Sequence, residues 1–117
     1  MIALGHAVKV WAWSEPVDGR AGFDGLLGRV MAQLGRRPVP GEVFLFTNRR
    51  RKTAKVFLWD GTGLCIYQKR LSVGCFARLW GSTPGEPLRL TASELSLYLE
   101  GAKLRGRLPL SPREVVI

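Results

Sequence analysis

Seven cations fall between residues 49 and 70: Arg49, Arg50, Arg51, Lys52, Lys55, Lys69 and Arg70. One acid, Asp60, stands among them, so this stretch carries a net +6 of the chain's total of +9. The residues before it are close to neutral, and those after it add little. Guanidinium and ammonium groups in a run neutralise phosphates, which gives affinity that is independent of sequence and sensitive to salt. The charge balance therefore points to a polyanionic partner, nucleic acid or an anionic surface. Reading of bases would require bidentate arginine geometry. The same cations also suit a solvated hairpin tip that guards a sheet edge against pairing.

Residues for other chemistries are sparse. His6 is the single histidine, so no Ser–His–Asp or Cys–His set assembles around it. Cys65 and Cys75 lack a second pair of metal ligands. A two-metal nuclease needs only carboxylates, and Asp18, Asp24 and Asp60 are the candidates, with Glu42 and Glu94 as further ones. Each has a local role open to it. Asp18 suits a helix N-cap, Asp24 the first turn of that helix, and Asp60 the start of a tight turn. The expectation is a protein without catalytic residues, bound metal or cofactor.

The elements that position the cations come from periodicity. Val43–Phe46, Ala54–Trp59 and Leu64–Tyr67 are three short apolar runs. The basic run separates the first two, and Asp60-Gly61-Thr62-Gly63 separates the last two as a tight turn. This is a three-stranded antiparallel meander over about 43–69 with a cationic loop at one end. Phe44 and Phe46 share one face, as do Phe57 and Trp59; Val43, Leu45, Val56 and Leu58 fill the opposite faces. Both faces are apolar, so two covers are needed.

Ala7–Trp13 reads as an N-terminal strand ended by Ser14-Glu15-Pro16. Residues 18–35 read as a helix with Asp18 as its N-cap and Gly35 as its stop. Gly22, Gly25 and Gly28 recur inside it and imply close approach of its backbone to a neighbour, with packing on the sheet the favoured cause. That helix is one cover; the second is the C-terminal part or another protein chain. Leu71–Trp80 reads as a short turn and a further strand, and Glu86–Leu90 as a short strand. Thr91-Ala92-Ser93-Glu94 is a capping box opening a helix over about 92–100. The fold class is thus α+β: a small, mostly antiparallel sheet packed with two helices.

A chain of 117 residues with 46% hydrophobic content makes one globular domain, here 1–102, followed by a basic, mobile tail over 103–117. Met1–Val10 is too short and too weakly apolar for a secretory leader, and no apolar run is long enough to span a membrane. The expectation is a cytoplasmic protein with reduced thiols and no membrane partner.

Three strings carry a resemblance. They are Asp18-Gly19-Arg20-Ala21-Gly22-Phe23-Asp24-Gly25-Leu26, then Phe44 to Val56, FLFTNRRRKTAKV, then Trp59 to Leu71, WDGTGLCIYQKRL. Gly74-Cys75-Phe76 and the helix start Leu90-Thr91-Ala92-Ser93-Glu94-Leu95 continue in the same order. Together, from about residue 4 to 102, they resemble the small TnpB (Orf2-like) accessory protein of the IS-sixty-six group of bacterial insertion sequences. The resemblance implies a role in DNA transposition beside a separate, larger transposase that carries the catalytic acids. It does not imply that this chain cuts DNA.

Three functions stand in order. The first is a non-enzymatic accessory factor that binds DNA through Arg49, Arg50, Arg51, Lys52, Lys55, Lys69 and Arg70 and docks the transposase and other proteins of the same element. The alternative is a protein–protein interaction module without DNA binding, motivated by the meander's need for a second cover. The third is a metal-dependent nuclease built on Asp18, Asp24 and Asp60.

Overall fold

A computed structural model describes residues 8–79 and 87–101. His6 and the basic tail fall outside the described residues. Among the described residues seven elements follow in order: β1 (Lys9–Ala12), α1 (Phe23–Leu34), β2 (Glu42–Thr47), β3 (Thr53–Trp59), β4 (Leu64–Arg70), β5 (Leu88–Leu90) and α2 (Ala92–Leu99). The strands form one sheet in the order β4-β3-β2-β1-β5. β1 and β2 are parallel, joined through α1; the other neighbours are antiparallel. The α+β class and the meander are as the alternation predicts. Among the described residues no helix is long and apolar enough to cross a membrane.

Side-chain alternation sorts the meander into two cores. Phe44, Phe46 and Phe57 pack with Trp13, Val17, Leu26 and Val30 under α1. Val43, Leu45, Ala54, Val56 and Leu58 pack on the opposite face with Phe76, Leu79, Leu95, Tyr98 and Leu99. The second cover is therefore this chain's own C-terminal part. The motive for an obligatory second protein on that face disappears.

Three local expectations need correction. α1 begins at Phe23, not Asp18, with Gly22 as N-cap and no side-chain cap bond. Asp18 instead accepts the Arg20 N–H at 2.9 Å and the Arg20 guanidinium at 3.1 Å. Val17 donates its N–H to Thr47 O at 3.1 Å in a parallel bridge with Asn48; the chain then closes a single turn, Ala21 N–H on Asp18 O at 2.9 Å, and passes through the extended Gly22 before α1 starts. The glycine stripe is also not a close contact. Gly22, Gly25 and Gly28 face solvent, and a Cβ at Gly22 or Gly28 would meet nothing within 4 Å. Finally, 71–79 forms no strand. It crosses the sheet as an irregular segment that buries Phe76 and Leu79, with Gly74 at φ 78° turning it.

The helix ends otherwise follow the sequence. Gly35 adopts φ 72° and donates to Met31 O at 2.8 Å, the left-handed C-cap that glycine accepts without a Cβ clash. The capping box closes in both directions: Glu94 N–H reaches Thr91 Oγ1 at 3.0 Å, and Thr91 N–H reaches Glu94 Oε1 at 2.8 Å. Arg36 forks onto Glu42 at 3.0 and 2.6 Å and holds that carboxyl below its ordinary range, against the opposing effect of burial.

An exposed glycine in a helix interior costs stability without a compensating contact. Gly28→Ala should therefore stabilise the fold by about 0.5–1 kcal/mol. A rise in the urea midpoint at unchanged m-value checks this; a fall would mean that the Cβ meets something.

Candidate nucleic-acid interface

The β2–β3 connection is built from Asn48 outwards. The Arg51 N–H donates to Asn48 O at 2.9 Å, closing a four-residue turn. Asn48 Oδ1 then accepts the N–H groups of Lys52 and Thr53 at 3.0 and 3.1 Å. Arg49 and Arg50 occupy the centre of the turn and are exposed.

Arg51 is different. Its φ is 60°, a left-handed conformation that costs a residue with a Cβ roughly 1–2 kcal/mol. Two bonds to one residue hold it there. The Phe76 N–H donates to Arg51 O at 2.7 Å, and Arg51 Nη1 donates to Phe76 O at 3.2 Å. Lys52 adds two more bonds to the same segment. Its carbonyl accepts the Leu71 N–H at 2.9 Å, and its ammonium donates to Gly74 O at 2.8 Å. The tip is thus clamped to the 71–76 segment, and the segment is anchored in turn. Phe76 stacks on Tyr98 at 5.2 Å between ring centroids. The Tyr98 hydroxyl donates to Ala77 O at 2.8 Å and meets Thr47 Oγ1 at 2.7 Å. Burial pushes this phenol above the ordinary tyrosine range.

The β3–β4 register decides which cations meet. Thr53 pairs with Arg70 and Ala54 with Lys69, while Trp59 pairs with Leu64 at the far end. The second basic cluster is thereby brought back beside the tip. Arg50, Lys52 and Arg70, with Asn48, Thr53 and Ser72, line an open groove of about 610 Å³. Among the described residues the ion pairs are Arg20–Asp18 and Arg36–Glu42, and neither involves a groove cation. Lys69 is half-buried on the opposite sheet face, with Ala54 and Tyr67.

Lys55 lies apart from the groove. It is 5% exposed, and its ammonium donates to Ala21 O at 2.5 Å beneath the α1 approach. Burial lowers its pKa, with Asp18 nearby opposing the shift. Its place was readable from alternation, since Lys55 shares a face with Phe57 and not with Val56. Asn48 and Ser72 are groove residues that the charge count overlooks. Their signals are position: Asn48 precedes the basic turn, and Ser72 follows Arg70 by two.

Asp18, Glu42, Asp60 and Glu94 are engaged in local structure. Asp60 Oδ1 accepts the Thr62 and Gly63 N–H groups, both at 2.9 Å, and those bonds hold its carboxyl below the ordinary range. Among the described residues no three His, Cys, Asp or Glu side chains come together as a metal site.

Residues 8–108 match the family described as IS66 Orf2 like protein. The uncharacterised protein y4hO of Sinorhizobium fredii is 35% identical over 105 residues, covering 90% of each chain. A second protein of that organism, y4jC, also uncharacterised, is 29% identical over 101 residues, covering 86% of this chain and 85% of its own. No solved structure matches the chain.

The burial of Lys55 makes a direct prediction. Its lowered pKa favours the reactive free amine, but its position blocks reagents. In native protein treated with an amine-acetylating reagent, Lys52 should react and Lys55 should not, as read by peptide mass spectrometry. Equal rates would contradict the placement.

Proposed function

Because the chain belongs to the IS66 Orf2-like family of insertion-sequence accessory proteins, we propose that it supports transposition by gripping the DNA backbone beside the β2–β3 tip and assisting a separate transposase. One observation carries this reading: Arg50, Lys52 and Arg70 line one open groove, and no acid among the described residues is paired with them. Phosphates supply the missing counter-charge. Arg49, exposed at the turn, extends the same surface. The fork of a guanidinium suits phosphate oxygens, while Lys52, with one ammonium N–H given to Gly74 O, contributes a point charge.

A supporting role rather than bond cleavage accords with where the carboxylates are used. Asp18 serves Arg20, Glu42 serves Arg36, Asp60 serves its own turn and Glu94 caps α2. Arg51 acts in this scheme as a positioning residue, since its guanidinium is turned to Phe76 O. Lys55 takes no part.

Salt dependence tests the reading. The triple variant Arg49→Ala, Arg50→Ala, Arg70→Ala should bind duplex DNA more weakly. Its slope of log K against log salt should be shallower by roughly 0.9 for each phosphate that is no longer neutralised. Lys55→Met should leave that slope unchanged. A folded triple variant with the wild-type affinity and slope would overturn the proposal.

A further inference from the structure

Among the described residues the sheet ends in two unlike edges. β5 is three residues long and carries Arg89, whose guanidinium sits 4.8 Å over the Trp11 ring. β4 is seven residues long, and among the described residues no strand lies beyond it. Its pairing with β3 runs unbroken from Thr53↔Arg70 to Trp59↔Leu64, without a bulge or proline. Long, regular edges are what folded proteins usually avoid or use.

The phase of the free groups follows from the ladder's two ends. Asp60 N–H donates to Gly63 O at 3.1 Å, and Leu71 N–H donates to Lys52 O at 2.9 Å. Antiparallel bonding alternates between these points, so Cys65, Tyr67 and Lys69 bond to β3. Leu64, Ile66, Gln68 and Arg70 direct their N–H and C=O groups outward. The side chains of Leu64, Cys65, Ile66 and Tyr67 are only half-buried, offering apolar contact on both faces of an added strand. The devices that guard this edge are Lys69 and Arg70, both at one end. Because successive residues alternate, one cation lies on each sheet face.

We propose that the outer edge of β4 docks an extended, acidic segment of a partner protein as an added strand. Main-chain hydrogen bonds from the four outward residues supply the pairing, as in other strand-addition complexes. Lys69 and Arg70 select the occupant, since carboxylates on consecutive residues of the incoming strand reach one cation on each face. A second copy of this chain is the poorer fit, because a molecule of net charge +9 brings like charge to the same edge.

The test uses the full chain without DNA and a labelled, proline-free threonine peptide that carries pairs of consecutive glutamates, with the same peptide carrying lysine pairs as control. In the free protein the Leu64, Ile66 and Gln68 amides should exchange faster with solvent than those of Cys65 and Tyr67. The acidic peptide should slow the outward set, and the basic peptide should not. Gln68→Pro removes an outward donor and leaves the bonds to β3 in place, so it should weaken peptide binding about tenfold, the worth of one hydrogen bond. Gln68→Ala should bind as the wild type does. Peptide binding that protects none of the outward amides, or that survives Gln68→Pro in a folded protein, would overturn the proposal. So would a concentration-dependent dimer that protects those amides by itself. If Gln68→Pro fails to fold, the wild-type exchange pattern decides.

Discussion

The register of β3 on β4 is the constraint on which the rest depends. It pairs Thr53 with Arg70 and so returns the end of the meander to the tip where it began. A slip of one residue would exchange the two faces of β4, sending Tyr67 and Cys65 towards α1 and moving Arg70 out of the groove. The register is pinned at both ends. At one end the Asp60 carboxylate gathers the turn's N–H groups, with Gly61 at φ 106°. At the other, the Leu71 N–H continues the ladder onto Lys52 O.

The C-terminal cover and the tip are coupled through the same segment. Residues 71–79 lie over the sheet with Phe76 and Leu79 buried, and Phe76 also holds the strained Arg51 backbone by two bonds. Tyr98 joins α2 to this segment and to the last residue of β2 through one hydroxyl. A buried hydroxyl deprived of its partners costs about 1–3 kcal/mol. The shape of the basic groove is therefore set by the hydrophobic core beneath it. The tip is not a free loop carrying charge.

Much of this was legible because its causes are local. Alternating apolar residues, the Asp60-Gly61-Thr62-Gly63 turn and the Thr91–Glu94 box each specify structure within a few residues. The failures come from contacts distant in sequence. Asp18 looks like a cap, but after the Val17–Asn48 bridge the chain closes a single turn onto Asp18 O and reaches α1 only at Phe23. Leu71–Trp80 has the composition of a strand, but Arg51 O and Lys52 O claim the Phe76 and Leu71 N–H groups. The glycines of α1 suggest a packed face, yet that face is solvent. Within the candidate site, proximity in sequence misplaced Lys55, which alternation turns inward. Proximity could not unite Arg50 with Arg70, which only the strand register brings together.

The central claim is that residues separated in sequence form one phosphate-binding surface at the tip end of the sheet. Backbone amide shifts recorded while duplex DNA is titrated into the labelled full chain at low salt test it most directly. The account predicts that perturbations concentrate at Arg49, Arg50, Lys52, Arg70 and Ser72, with Lys55 and the Asp60–Gly63 turn unmoved. Perturbation centred on the Asp60–Gly63 end, or none at the tip with DNA in excess, would contradict it.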